Sequence, residues 1–226
     1  MEWKVNDRSR PHPEKAVLKS EAELAESAKA PKDAIILFDG SNLDAWKPSK
    51  WLLKGDGTVE VVPKTGYLVT KEAFGSCHLH LEWATPAPPV GKDQMQGNSG
   101  VFLMGRYEIQ VLDNTNNPTY ADGMAGAVYG ENPPLFDACR PSGEWNYYDI
   151  TFTRPVFGPD KQVVKKATVT VVFNGVVVQD HFQIEGPTSH GHSTPYTAHA
   201  DKLPLALQEH GCSDRFRNIW IQPIAD

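Results

Sequence analysis

From Ala34 onward, apolar and polar residues alternate in short runs separated by Gly, Pro, Asn and Asp. The runs are AIILF, WLL, VEVV, YLVT, CHLHLEW, GVFLM, YEIQVL, GAVYG, NYYDITFT, ATVTVVFNGVVVQ, LALQEH and FRNIWIQPI. Period-two alternation builds strands with one face in a core, and no segment here sustains a helical period over three turns. About a dozen short strands, with turn signals every ~8–12 residues, predict an all-β fold: an antiparallel β-sandwich or jelly roll, not an α/β sheet. Asn174-Gly175, between two Val-rich runs, predicts a hairpin closed by a type I′ turn, whose two central residues need positive φ.

Residues 1–33 are rich in Pro, Lys and Glu, and only KSEAELAESAKA has mild helical character. They are expected to form an extended arm that lies on the domain or stays mobile, ahead of one sandwich domain over 34–226. The polar, Pro-containing stretches 114–124 and 185–204 are expected as loops over one face or rim.

With 226 residues, 40% hydrophobic and 22% charged, the chain can fill one core. A net charge of −6 without clustered Lys and Arg excludes a nucleic-acid groove, leaving sugars, small metabolites or proteins as partners. No apolar run approaches the ~20 residues of a membrane span. The start, MEWKVNDRSRPHP, lacks the charged-then-apolar order of a secretion signal, so the expectation is a cytosolic protein or one whose leader has been removed. Cys77, Cys139 and Cys212 are odd in number, widely spaced and without a C-x-x-C pair. They read as semi-buried thiols, with one disulfide plus a free thiol as the alternative.

The chemistry concentrates in a few strands. In YEIQVLD, Tyr107, Ile109 and Val111 share the core face, which turns Glu108 and Gln110 outward or into a cleft. Asp113 joins them only if a β-bulge adds one residue. His78, His80 and Glu82 alternate in the same way against Cys77, Leu79, Leu81 and Trp83, a set suited to a metal, a general base or a solvated face. In GEWN, Trp145 and Asn146 can stack on a pyranose and bond its hydroxyls, or pack in the core. Asn98 in QGNSG suits a turn or a site. Gln208 and His210 share one face of LALQEH, and Arg217 follows in the last strand. There Ile219 and Ile221 share parity with Arg217, while Phe216 and Trp220 share it with Asn218, so both faces carry apolar residues. His190, His192 and His199 sit in a loop that is either solvated or a lid over a cleft.

Taken in order, LFDGSNLDAW, LHLEWATP, GNSGVFLMGRYEIQVLD, GAVYG, GEWN, FNG and LPLALQEHG…FRNIWIQPI resemble the 3-keto-disaccharide hydrolase domain family over residues 34–226. The resemblance implies a concanavalin A-like jelly roll of two curved antiparallel sheets, in agreement with the strand count. It implies cleavage of glycosides already oxidised to a ketone at sugar carbon 3, and a periplasmic or secreted protein. A C3 ketone acidifies the C2 proton, so the bond to the C1 leaving group breaks by elimination and water then adds across the double bond. Such chemistry needs a base, expected in Glu108 or Glu82, with His80 or His210 as the third choice. It also needs an oxyanion partner: Gln110, Asn146, Arg217 or a bound divalent cation. Trp145 and Tyr129 would position the ring, with Asn98, Asp113 and Gln208 as further substrate contacts.

Two other functions suit the same fold. EIQVLD has the spacing of the catalytic strand of laminarinase-like glucanases, which use two carboxylates ~5–5.5 Å apart, but Gln110 replaces the middle acid and the last is the shorter Asp113. A carbohydrate-binding module without catalysis is the other.

Overall fold

The computed structural model describes residues 3–226, and strand accounts for 35% of it against 4% helix. In chain order the strands are β1 (Ile35–Phe38), β2 (Leu52–Leu53), β3 (Val59–Glu60), β4 (Leu68–Phe74), β5 (Cys77–Ala84), β6 (Ser99–Leu103) and β7 (Tyr107–Val111). They continue with β8 (Asn146–Thr153), β9 (Val156–Phe157), β10 (Val163–Lys165), β11 (Thr168–Phe173), β12 (Val176–Gln183), β13 (Leu203–Leu207) and β14 (Arg215–Pro223). An eight-stranded sheet runs β12-β11-β8-β5-β14-β3-β2, with β1 also beside β14, and a four-stranded sheet runs β4-β13-β6-β7. All pairings between these strands are antiparallel. The fold is therefore a β-sandwich, as the alternation predicts.

The core lies between the two sheets. Leu79, Leu81, Trp83, Tyr148, Ile150 and Phe152 of the large sheet and Leu68, Val101, Ile109, Val111 and Leu207 of the small one are all fully buried. Burial of each such side chain is worth about 1.5–3 kcal/mol. Tyr107 and Phe152 meet across the layers with ring centroids 5.8 Å apart, and the Tyr148 hydroxyl donates to the Gln110 carbonyl at 2.6 Å. This second bond ties the middle of β7 to the opposite sheet.

The predicted hairpin turn joins β11 to β12, with φ of 50° at Asn174 and 80° at Gly175. GAVYG is not a strand. It makes only isolated bridges along the outer edge of β7, where Ala127 accepts from the Gln110 N–H and the Tyr129 N–H donates to the Glu108 carbonyl. Its Gly-rich backbone caps an edge that would otherwise expose unpaired peptide groups. The short β9–β10 ribbon was not evident as alternation, because each of its strands spans only two or three residues.

A bulge in β14 resolves its double parity. The register with β5 passes from Arg217↔Glu82 to Trp220↔His80, so two residues stand opposite one, and Asn218 takes φ of 46°. Phe216, Ile219 and Ile221 thereby face the core, while Arg217, Asn218 and Trp220 face away from it.

The arm lies against the domain. Ser20 and Glu23 form a reciprocal capping box for the single helical turn Glu21–Leu24, and Leu24 and Ala28 pack on Tyr147. The Ala28 carbonyl accepts from Asn218 Nδ2 and Trp220 Nε1. Cys77, Cys139 and Cys212 are buried free thiols, and burial pushes those of Cys77 and Cys139 up to about 12. Among the described residues, no helix is long and apolar enough to cross a membrane.

Candidate active site

The face of the four-stranded sheet turned away from the core carries two rows of side chains across its strands. One row is Val69, Ala206, Phe102 and Glu108, paired in that order through β4, β13, β6 and β7. In the next, the Gln208 N–H donates to the Gly100 carbonyl and Gly100 pairs with Gln110; Tyr67 stands at its far end, accepting from Gln208 Nε2 at 3.1 Å. Over these rows lies a cleft of about 330 Å³, walled by Gln94, Asn98, Tyr129, Thr188, His190 and His210.

Glu108 is the only carboxylate lining this cleft among the described residues. Burial pushes its carboxyl up to about 8, because desolvation penalises the charged form. Gly100 makes room for it: a Cβ at residue 100 would lie 2.1 Å from Glu108 Oε1.

The amides around Glu108 are oriented by one fixed acceptor. Gln94 Nε2 donates to the Gly123 carbonyl at 3.0 Å and to Thr119 Oγ1 at 2.6 Å, which leaves Gln94 Oε1 to accept. Gln110 Nε2 and Asn98 Nδ2 both donate to it, at 3.1 and 3.3 Å. Gln110 Oε1 and Gln208 Oε1 are then left buried without a partner. Such acceptors are costly unless a ligand hydroxyl fills them. On the wall, Tyr120 and Tyr129 hydroxyls are 2.6 Å apart, and Tyr129 Oη is 2.9 Å from His190 Nδ1. Burial raises both phenols, so they stay protonated.

The structure divides the sequence-predicted residues. Glu108, Gln110, Asn98, Gln208, Tyr129 and His210 line the cleft. His80, Glu82, Arg217 and Trp145 gather instead on the outer face of the large sheet, beneath the arm. There Glu82 accepts from Arg217 Nε at 2.5 Å and from Asn218 Nδ2 at 2.8 Å. His80 Nδ1 lies 2.7 Å from Asp149, His80 stacks on Trp220, and Arg217 sits 4.0 Å over the Trp145 ring. Desolvation opposes charge on both His80 and Glu82, but their hydrogen bonds prevail, raising His80 and lowering Glu82. No buried polar atom of these four residues lacks a partner. This polar network lies beside Asn218 and Trp220, which bond the arm, and not in the cleft, which corrects the expectation that Glu82, His80, Arg217 and Trp145 share a cleft with Glu108.

Asp113 and Asn146 also stand apart. The β6–β7 pairing ends at Ser99↔Val111, so Asp113 lies beyond the strand, and it does not line the cleft. Its carboxylate accepts from the Thr115 N–H and from Ser142 Oγ. Asn146 Oδ1 accepts from the Arg140 N–H and from Asn174 Nδ2, locking the loop before β8 to the hairpin turn. Tyr67, Gln94, Phe102, Thr188 and Ser189 line the cleft without having been singled out from sequence. His190, one of the loop histidines, does reach it.

The cleft offers a cation one carboxyl, which burial favours in its neutral form, two free amide oxygens and the imidazoles of His190 and His210. Among the described residues, no group of three or more His, Cys, Asp or Glu side chains is arranged to hold a metal ion. This donor set does not by itself form a divalent cation site, which usually combines several oxygens with more negative charge.

A family profile for the 3-keto-alpha-glucoside-1,2-lyase-like domain matches residues 33–222. A crystal structure from Parabacteroides distasonis ATCC 8503, provisionally described as a glycosyl hydrolase, is 43% identical with a TM-score of 0.83, covering 86% of this chain and 85% of that one. Two further structures from the same organism, described in the same terms, superpose with TM-scores of 0.60 and 0.61 at 22% and 18% identity. They cover 84% and 92% of this chain and 99% of each relative, and bear on the fold alone. No curated protein matches the chain.

Proposed function

Because the chain belongs to the 3-keto-alpha-glucoside-1,2-lyase-like family of carbohydrate-acting domains, we propose that it cleaves glycosides carrying a ketone at sugar carbon 3, with Glu108 as the base. The observation that carries this reading is a lone, desolvated carboxyl facing a cleft lined with amides and hydroxyls. Glu108 takes the proton from C2, which the adjacent ketone has acidified, and the electron pair is delocalised onto the C3 oxygen. The enolate then reforms the ketone, the C1=C2 bond forms, and the C1–O bond breaks. The leaving oxygen receives its proton from Tyr129, which the His190 imidazole and the Tyr120 hydroxyl hold in place. Water adds its oxygen to C1 and a proton to C2, and the proton held by Glu108 passes through solvent to the Tyr129 oxyanion, completing net hydrolysis with both groups reset.

The state of Glu108 suits this role. A carboxyl titrating near 8 is a stronger base once ionised than an ordinary one and is partly ionised at neutral pH. Gln110 Oε1 and Gln208 Oε1 accept hydroxyls of the sugar, while the Thr188 hydroxyl, whose oxygen accepts from the Glu108 N–H, keeps its own proton for the C3 oxygen.

Retaining hydrolysis of an ordinary glucan requires two carboxylates facing the same bond, and Asp113 is engaged elsewhere. A pure binding module has no use for a carboxyl kept desolvated at the floor of its site. Incubation with 3-keto-trehalose beside trehalose tests the reading. Only the oxidised sugar should be cleaved, and equal cleavage of both would overturn keto dependence.

A further inference from the structure

The cleft continues past Phe102. A second hollow of about 540 Å³ shares Tyr67, Phe102 and Thr188 with it and runs on over Val69, Met104, Pro204 and Ala206. The two hollows lie along one sheet face, so the row Glu108–Phe102–Ala206–Val69 leads from a carboxyl to a mainly apolar surface. Arg106 is the only charged residue lining this second hollow among those described. Its carbonyl accepts the Thr188 N–H, which fixes the loop at the junction of the hollows.

We infer that the second hollow receives the leaving group, and that this group is an aromatic ring bearing a carboxylate, not a second sugar. The inference rests on the proposed function of the neighbouring cleft. A pyranose seated over Val69, Ala206 and Pro204 would surrender the hydration of its hydroxyls to side chains that cannot bond them. A flat ring gains there from apolar burial and from contact with the Phe102 and Tyr67 rings, which stand 5.7 Å apart. A carboxylate on that ring meets the planar fork of Arg106, the side chain best matched to it.

Calorimetry on the Glu108→Gln protein, with three 3-keto-glucosides differing only in aglycone, tests the inference without interference from turnover. The 4-carboxyphenyl glucoside should bind at least ~10-fold more tightly than the glucosyl one, with the phenyl glucoside between them. Arg106→Gln should bring the carboxyphenyl compound down to the phenyl one, and Val69→Asp should remove the preference for either ring. Equal binding of all three, tighter binding of the disaccharide, binding of none, or a ring preference unmoved by both substitutions would overturn it. Turnover by the unsubstituted protein separates the two claims. Cleavage of keto-glucosides without ring preference in binding defeats the subsite alone, and ring preference without any cleavage defeats the proposed reaction alone.

Discussion

The Glu108 carboxyl fills the space that a side chain on Gly100 would occupy, since a Cβ there would come within 2.1 Å of Oε1. Gly100 is not among the glycines with positive φ, so its role is space and not a turn. Gly100→Ala should leave the sandwich folded while pushing the carboxyl from its position. A displacement of about 1 Å in a reacting group costs on the order of 10²-fold in rate. Turnover of a 3-keto-glucoside, compared with the circular dichroism spectrum, checks this; native spectrum with native rate would show that the carboxyl's position is immaterial.

Glu108 and Glu82 give the sharpest contrast between the two polar groups. Glu108→Gln should lower kcat/KM by ~10²–10⁴, the usual worth of a general base. Glu82→Gln should leave kcat/KM nearly unchanged but destabilise the fold by about 1–3 kcal/mol, because Arg217 and His80 lose a charged acceptor. Steady-state kinetics and urea unfolding read the two effects separately. A rate collapse in the Glu82 variant at unchanged stability would move the site to the outer face.

That contrast also marks how far the sequence alone could reach. Alternation in Tyr107–Val111 turns Glu108 and Gln110 from the core, and alternation in Cys77–Ala84 does the same for His80 and Glu82. Each sheet of a sandwich has an outer face, so parity identifies outward residues without telling which face is open and which is covered by the arm. Gln94 and Thr188 reach the cleft from a 3₁₀ turn and a distant loop, contacts that no local period encodes. The Asn218 bulge left a trace, since β14 carries apolar residues on both parities and Asn tolerates positive φ. GAVYG shows the opposite failure, for β-like composition there serves an edge cap and not a strand.

The pH dependence has a definite sign for both activity and stability. With Glu108 titrating at about 8, kcat/KM should rise roughly tenfold per pH unit below that value and level off above it. A pH profile already flat from pH 5 would contradict the assignment. Glu108 and the buried Asp214, each pushed up to about 8, hold protons in the folded state that the unfolded chain releases near pH 4. Stability they help retain at low pH is therefore lost as pH rises between about 4 and 8. Urea midpoints at pH 5 and pH 8 should show the fall, and Asp214→Asn should reduce it; equal slopes in both proteins would exclude Asp214 as its source.

Tyr129→Phe separates proton donation from ring positioning. If Tyr129 protonates the leaving oxygen, its loss should slow a 3-keto-glucoside with an alkyl aglycone by ~10² but barely affect a 4-nitrophenyl one, whose oxygen leaves unprotonated. Rates on the two substrates decide it. An equal loss on both would assign Tyr129 to binding alone.

The central claim is that Glu108 removes the C2 proton of a 3-keto-sugar, and a substrate deuterated at C2 tests it most directly. Loss of deuterium from C2 should accompany cleavage, at a rate far above that in buffer or with the Glu108→Gln protein, and the unoxidised glucoside should remain intact. Cleavage that retains the deuterium at C2, or proceeds equally well on the unoxidised glucoside, would contradict the account.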